Sequence, residues 1–382
     1  MAEPANTPIP GSTPRSGSPT HSQGFRSPST PSTPTRKKPG VLHIGDPIKY
    51  HPDTYALFSA RCDIIRPSTA ERQRDEFKRA LAENRWGDFQ AVFRPAWGTG
   101  GEMGGWDEEL IALLPDSVRV FASAGAGFDW VDVRRLGERG IIYCNSSPAA
   151  ADAVADFALA MIISTFRHLP WCAAASADPT TFQDCHARAT LLSHTLRGQV
   201  LGLIGFGHIG QAIAARARPG FGMAVHYHDL VRKDPALEAR LSATFHPSLA
   251  DLLRLADCLV LCTPSTGDGR PVITASTLQR CKPGARFVNV ARGGLVDEEA
   301  LADALESGHL SSVALDVHAS EPNVNPRLAA LRGDRVLLTC HNAGGTVETH
   351  AGFEDLSMRN IMAVLGGGEP ITPVNLEFLR RS

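Results

Sequence analysis

The chain has 382 residues, 43% of them apolar and 20% charged, with a formal net charge of −2. That length holds two ordinary domains with separate cores, and a near-neutral balance excludes bulk electrostatic attraction to nucleic acid or to a membrane surface. The eight cysteines are scattered, with neither metal-ligand spacing nor a disulfide framework, so no metal is expected and the thiols read as those of a reduced, cytoplasmic protein.

Residues 1–40 stand apart. Ser-Pro and Thr-Pro pairs recur (Thr7-Pro8, Thr13-Pro14, Ser18-Pro19, Ser27-Pro28, Thr30-Pro31, Thr33-Pro34) and large apolar side chains are almost absent. Such a segment buries too little surface to offset the entropy of ordering it, which predicts a disordered tail. From Val41 onward short apolar runs alternate with helical stretches. Strands are predicted at Val41–Ile44, Asp63–Ile65, Ala91–Phe93, Val118–Ala122 and Ile141–Tyr143, with helices over Ala70–Asn84 and Trp130–Arg139. The alternation points to parallel βα units. The glycine-rich stretch Gly98–Trp106 reads as a loop at the mouth of a site. A long apolar helix is predicted near Ala153–Leu169; its core run, Phe157–Phe166, is too short to span a bilayer. An irregular stretch to Arg197-Gly198 follows.

A second βα series begins at Val200. Its strands are Val200–Ile204, Ala224–His228, Cys258–Cys262, Arg286–Val290, Ser312–Val317 and Val336–Cys340. Helices Ser248–Leu255 and Glu298–Ser307 lie between them, the latter with Asp297 as N-cap and Gly308 past its end. The first strand runs into Gly205-Phe-Gly207-His-Ile-Gly210 and an alanine-rich helix. Glycine is common, but this context is the one a dinucleotide needs. Gly205 permits the tight turn, Gly207 lets backbone approach a pyrophosphate, and Gly210 lets helix and strand pack. Free amides at that helix start favour the phosphates. Asp229 ends the next strand, nineteen residues past Gly210. A carboxylate there accepts from ribose hydroxyls and repels a 2′-phosphate, so NAD is expected and NADP less so; Arg232 and Lys233 nearby temper that preference.

Three later segments end predicted strands on the same side: Ala291-Arg292-Gly293-Gly294, Leu315-Asp316-Val-His-Ala-Ser-Glu321-Pro322, and His341-Asn342-Ala343-Gly344. Strand carboxyl ends line the ligand crevice of a doubly wound sheet. Arginine, glutamate and histidine there suit a keto acid: the guanidinium grips the carboxylate, the histidine protonates the carbonyl oxygen, and the glutamate orients the ring.

Together with Cys262-Thr263-Pro264 and Lys282-Pro-Gly-Ala285, this motif order resembles the D-isomer-specific 2-hydroxyacid dehydrogenase family. Trp86–Phe89, Phe121–Trp130 and Leu315–His318 resemble its fungal D-mandelate dehydrogenase and glyoxylate reductase branch. The resemblance covers nearly everything after residue 40. It implies an α/β protein of two doubly wound parallel-sheet domains with a cleft between them. Residues 41–150 and 348–382 would form a flavodoxin-like substrate domain, and 151–347 a Rossmann NAD domain. It implies Arg292 as substrate ligand, Glu321 and His341 as the proton-handling pair, and Ala124 and Gly125 as amides holding the substrate carboxylate. Gly205, Gly207, His208, Ile209, Gly210, Asp229, Cys262, Thr263, Pro264, Ala291, Asp316 and Gly344 would serve the cofactor, Asp316 beside the nicotinamide amide. A homodimer acting on small 2-oxo or 2-hydroxy acids is expected. Two departures stand out, Ala153 where relatives carry threonine and Asn342-Ala343 behind the histidine. Phe128 and Trp130 face either an aromatic substrate or the core. The other reading is an NADH-sensing corepressor of the C-terminal-binding-protein type, which uses the same scaffold to bind peptides.

Overall fold

The computed structural model describes residues 37–266, 269–333 and 335–379, so the expectation for the proline-rich tail falls almost wholly outside the described residues. Strands β1 (Gly40–His43), β2 (Asp63–Ile65), β3 (Ala91–Arg94), β4 (Val120–Ser123) and β5 (Ile142–Cys144) form a five-stranded parallel sheet in the order β2-β1-β3-β4-β5. A seven-stranded parallel sheet follows. It contains β6 (Val200–Ile204), β7 (Ala224–His228), β8 (Ala243–Phe245), β9 (Cys258–Leu261), β10 (Ala285–Asn289), β11 (Leu310–Leu315) and β12 (Val336–Leu338), ordered β12-β11-β10-β9-β6-β7-β8. The first order is that of flavodoxin-like sheets and the second that of dinucleotide-binding sheets. Buried apolar runs such as Cys258–Leu261 are what a sheet covered on both faces demands. The second sheet's order reverses between β6 and β9, so the crevice at that switch point lies between the segments after Ile204 and after Leu261.

The helix Ser147–Arg167 has 21 residues, longer than predicted, and is long and apolar enough to cross a membrane by composition. It buries Val154, Leu159, Met161, Ile162 and Phe166 in one core with β6, β7, β10 and β11 residues. Burial of each such side chain stabilises by about 1.5–3 kcal/mol, which accounts for the composition as that of a core helix. The stretch predicted to be irregular contains two helices, Leu169–Ser176 and Pro179–Leu192. Proline inside a helix breaks it, but Pro170 and Pro179 each occupy the first turn of theirs, where no amide bond is lost. Helix Pro52–Arg61 was hidden likewise by its leading proline.

After β12 the helix Val347–Leu365 carries the chain back to the first sheet. Met358 and Ile361 pack with Val41, Phe58 and Val120. Glu354 accepts from the amides of Lys49, Tyr50 and His51. Asn375 accepts from the Tyr143 amide and donates to the Val133 and Ile141 carbonyls.

Candidate active site

The glycine turn follows directly from β6. Gly205 sits at φ +97°, and its amide donates to the His228 carbonyl over 2.8 Å. A Cβ on Gly205 would lie 2.8 Å from the Cys262 carbonyl oxygen, and one on Gly210 would lie 2.6 Å from the Gly205 oxygen. Nothing stands within 4 Å of a Cβ placed on Gly207, which opens the helix His208–Phe221 and carries no side-chain cap. Free amides at an uncovered helix start form a cradle that fits a pyrophosphate. Cys262 has a structural task as well. Burial pushes its thiol up to about 12, so it stays protonated, and its Sγ donates to the Gly205 carbonyl from 3.1 Å, bracing the turn.

Asp229 accepts the Phe206 amide at 2.9 Å and pairs with Lys233 at 3.0 Å. Partial burial acts to raise its carboxyl, but the amide and the ammonium prevail and hold it below the usual carboxylate range. Arg232 is bound to Glu238 at 2.8 Å. Both cations near the strand end therefore already hold carboxylates.

A groove of about 900 Å³ runs past Gly207, His208, Ile209, Cys262, Thr263, Pro264, Ala291 and Arg292, with residues 126–129 opposite. It shares Ile209, Val290 and Arg292 with a smaller pocket of about 110 Å³ that Gly125, Asp316, His341 and Gly344 also line. Arg292, His341 and the loop after β4 thus meet in one place, and that place opens onto the glycine turn. Gly205, Gly210 and Asp229 shape the groove from behind without lining it.

Arg292 stands on the loop after β10. Asn289 shapes that loop, accepting from the Ala291 amide at 2.9 Å and donating to the Arg292 carbonyl at 3.0 Å. Gly293 packs so closely on His318 that a Cβ would lie 1.9 Å from its carbonyl carbon, which ties the Arg292 loop to the segment carrying Glu321. Arg292 Nε donates to Asp129 Oδ1 over 3.0 Å, and one terminal nitrogen donates to its neighbour's carbonyl, Ala291, over 2.8 Å. The other lies against Gly127, 1.4 Å from where a Cβ would be.

His341 adopts φ +53°. Its amide donates to the Asp316 carbonyl at 2.7 Å. The buried Asp316 carboxylate takes the Asn342 and Ala343 amides at 2.9 and 2.8 Å and the Thr339 hydroxyl at 2.7 Å. Asp316, which the resemblance puts beside the nicotinamide amide, lines the smaller pocket and also clamps the histidine loop. His341 Nδ1 lies 2.9 Å from Glu321 Oε2, and Glu321 Oε1 accepts the His318 amide at 2.9 Å. Burial acts to raise Glu321, but the imidazole and that amide outweigh it and keep the carboxyl below its usual range. An ionised carboxylate only accepts, so Nδ1 carries the proton it donates and Nε2 is left for the pocket.

Because the folded carboxyl sits lower than in an unfolded chain, this pair stabilises the fold above the ordinary carboxylate value of about 4.3 and loses its contribution as pH falls through the depressed folded value. Glu321→Gln should therefore melt below the wild type at neutral pH, and the gap should close on acidification. Melting curves across that window check it, and a gap constant with pH would refute it.

Ala124 is placed otherwise than the sequence suggested. Its amide donates to the Arg94 carbonyl at 2.7 Å, leaving Gly125, Ala126 and Gly127 to line the pocket. Phe128 and Trp130 pack on Tyr143, ring centroids 6.2 and 6.3 Å away. Phe128 also lines the groove, whereas the smaller pocket takes Trp97, edge-on to His341 at 5.5 Å, and Phe353. Ala153 does not line the pocket; its neighbours Ala150 and Val154 do. Asn342 lies where a Cβ on Gly345 would fall, 1.9 Å from Asn342 Oδ1.

Residues 159–343 match the family model described as D-isomer specific 2-hydroxyacid dehydrogenase, NAD binding domain. A glyoxylate reductase of Thermococcus kodakarensis is 36% identical over 281 residues, 72% of this chain and 81% of the relative. The 4-methyl-2-oxopentanoate reductase A of Aspergillus oryzae is 33% identical over 303 residues, covering 79% and 88%. The holo crystal structure of Rhodotorula graminis D-mandelate dehydrogenase superposes with a TM-score of 0.84 at 38% identity, covering 89% of this chain and 98% of that one. With its sheet orders, its glycine turn and one pocket lined by Arg292 and by the His341 that Glu321 holds, the chain belongs to the D-isomer-specific 2-hydroxyacid dehydrogenase family.

Proposed function

We propose that this enzyme interconverts 2-oxo acids and D-2-hydroxy acids with NAD(H), using Arg292 to hold the substrate carboxylate and the His341–Glu321 pair to handle the proton. The observation carrying this reading is that Arg292 and His341 line one pocket continuous with the groove beside the glycine turn. Gly207, His208 and Ile209 would hold the pyrophosphate, and Asp229 would take the ribose hydroxyls. The bound nicotinamide supplies or accepts the hydride.

The guanidinium of Arg292, oriented by Asp129, presents its free edge to the carboxylate and polarises the adjacent carbonyl. Amides of the Gly125–Gly127 loop are available to the same carboxylate. His341 Nε2 gives its proton to the carbonyl oxygen in reduction and removes it from the hydroxyl in oxidation. Glu321 keeps the ring in the required tautomer and balances the charge as the ring gains or loses that proton. Binding both reactants in one cleft contributes proximity and orientation.

NAD is favoured over NADP because Asp229 is ionised at the strand end while Arg232 and Lys233 are held by Glu238 and Asp229. Residues 41–150 with 348–382 form the substrate domain in this reading, and 151–347 the cofactor domain. Exposed Leu169, Phe182, Leu191 and Leu192 on the paired helices after Arg167 support self-association into a homodimer. The test is a panel of 2-oxo acids with the purified full chain. NADH oxidation with several acids, and at least about tenfold poorer kcat/KM with NADPH, a difference near 1.4 kcal/mol, is expected. Turnover with neither cofactor would overturn the reading.

A further inference from the structure

We propose that Trp97 selects the substrate, admitting 2-oxo acids with a planar aromatic or branched apolar side chain in preference to glyoxylate and to acids with a second charged group. This rests on the assignment of Arg292 and His341 made above and adds the identity of the third substituent on the reacting carbon. Once Arg292 takes the carboxylate and His341 the carbonyl oxygen, that substituent must lie against whatever else walls the pocket.

The wall is apolar and largely aromatic. Trp97 stands edge-on to His341 with ring centroids 5.5 Å apart, and its six-membered ring comes within 3.0 Å of the Cβ position of Gly125. Gly125 holds φ +97°, so the carboxylate loop bends under the indole with no side chain between them. Phe353, 4% exposed, and His350, edge-on to it at 5.9 Å, come from the helix that packs on the five-stranded sheet. Val154 and Ala150 complete the surface.

The charged groups there have other work. Arg292 is engaged by Asp129, Asp316 by the loop amides, and His341 by Glu321. Among the described residues no lysine and no second arginine lines the pocket. A second carboxylate would enter with no lysine or second arginine to meet it and only the His350 ring nearby, and a bare aldehyde would leave the aromatic wall facing water. Trp97 itself is 44% exposed, on the Gly98–Trp106 side of the cleft, and a flat substituent stacked on it would cover part of that face.

The experiment compares benzoylformate, 4-methyl-2-oxopentanoate, glyoxylate and 2-oxoglutarate with NADH, in the wild type, Trp97→Ala and Trp97→Phe. Each methylene fitted to an apolar pocket is worth about tenfold or more in kcat/KM. The wild type should therefore favour the first two acids over glyoxylate by at least about tenfold, with 2-oxoglutarate poorest. Trp97→Ala should lower the benzoylformate-to-glyoxylate ratio by about tenfold or more, mainly through KM, and Trp97→Phe should restore most of it. A wild type that prefers glyoxylate or the dicarboxylate overturns the proposal while leaving the dehydrogenase reading intact. So does an equal loss for every acid in Trp97→Ala, which would make the indole a support for His341 and no selector. If no acid is reduced at all, the dehydrogenase reading fails first and this one with it.

Discussion

His341→Gln is expected to lower kcat for every 2-oxo acid by about 10³-fold, within the range that a positioned proton donor contributes. That factor corresponds to about 4 kcal/mol of lost transition-state stabilisation. Glutamine keeps an amide able to reach Glu321, so the loop clamped by Asp316 has no reason to move. What disappears is a titrating nitrogen facing the pocket. The loss should fall on kcat, with NADH binding by fluorescence titration little changed, because the cradle of Gly207 and His208 belongs to another segment. Glu321→Gln should cost less, since it leaves the imidazole in place while releasing its tautomer: a carboxamide can offer Nδ1 a donor as readily as an acceptor. Near-wild-type turnover in His341→Gln would remove the proton donor from the account.

Arg292→Ala should produce a loss of similar size, about 10²–10³-fold in kcat/KM, the scale on which a fixed donor to developing charge is valued. Here KM should rise as well, because the guanidinium binds substrate in the ground state too. Arg292→Lys should recover little. Lysine offers one compact charge, whereas the arginine fork donates to Asp129 and Ala291 through two nitrogens and still has an edge to present. Gly127→Ala gives an independent check that leaves the arginine in place. Its methyl group would occupy the space of a guanidinium nitrogen, 1.4 Å away, so the fork must swing out and KM should rise toward that of Arg292→Ala. Unchanged KM in both variants would show that the carboxylate binds elsewhere.

Much of this site could be read from the chain because its chemistry is local. The tight turn, the close approach and the packing contact at Gly205, Gly207 and Gly210 each follow from glycine next to a strand and a helix. Arg292, Glu321 and His341 could be placed because each ends a strand of one parallel sheet, and parallel strands end on one side. Residues whose role depends on the other sheet were not legible. Asp129 became the partner of Arg292, and Gly127 its seat, only when the cleft brought the segment after β4 against the segment after β10. Trp97, just before the Gly98–Trp106 loop, carried no signal of its own, while Phe128 and Trp130, left open between substrate and core, pack on Tyr143, with Phe128 also lining the groove. Ala124 failed for a backbone reason: strand pairing continues one residue past β4, so its amide is already used by Arg94. Asp316 lines the pocket, but its second role was hidden: a buried carboxylate needs donors, and only the fold shows that the amides after His341 supply them.

The most direct test follows a labelled hydride. With NADH carrying deuterium at both C4 positions of the nicotinamide and a 2-oxo acid other than glyoxylate that the enzyme reduces, the product should carry one deuterium at C2 and elute as the D enantiomer on a chiral column. An L or racemic product, or a C2 position without the label, would contradict D-specific hydride transfer to a carbonyl held by Arg292 and His341.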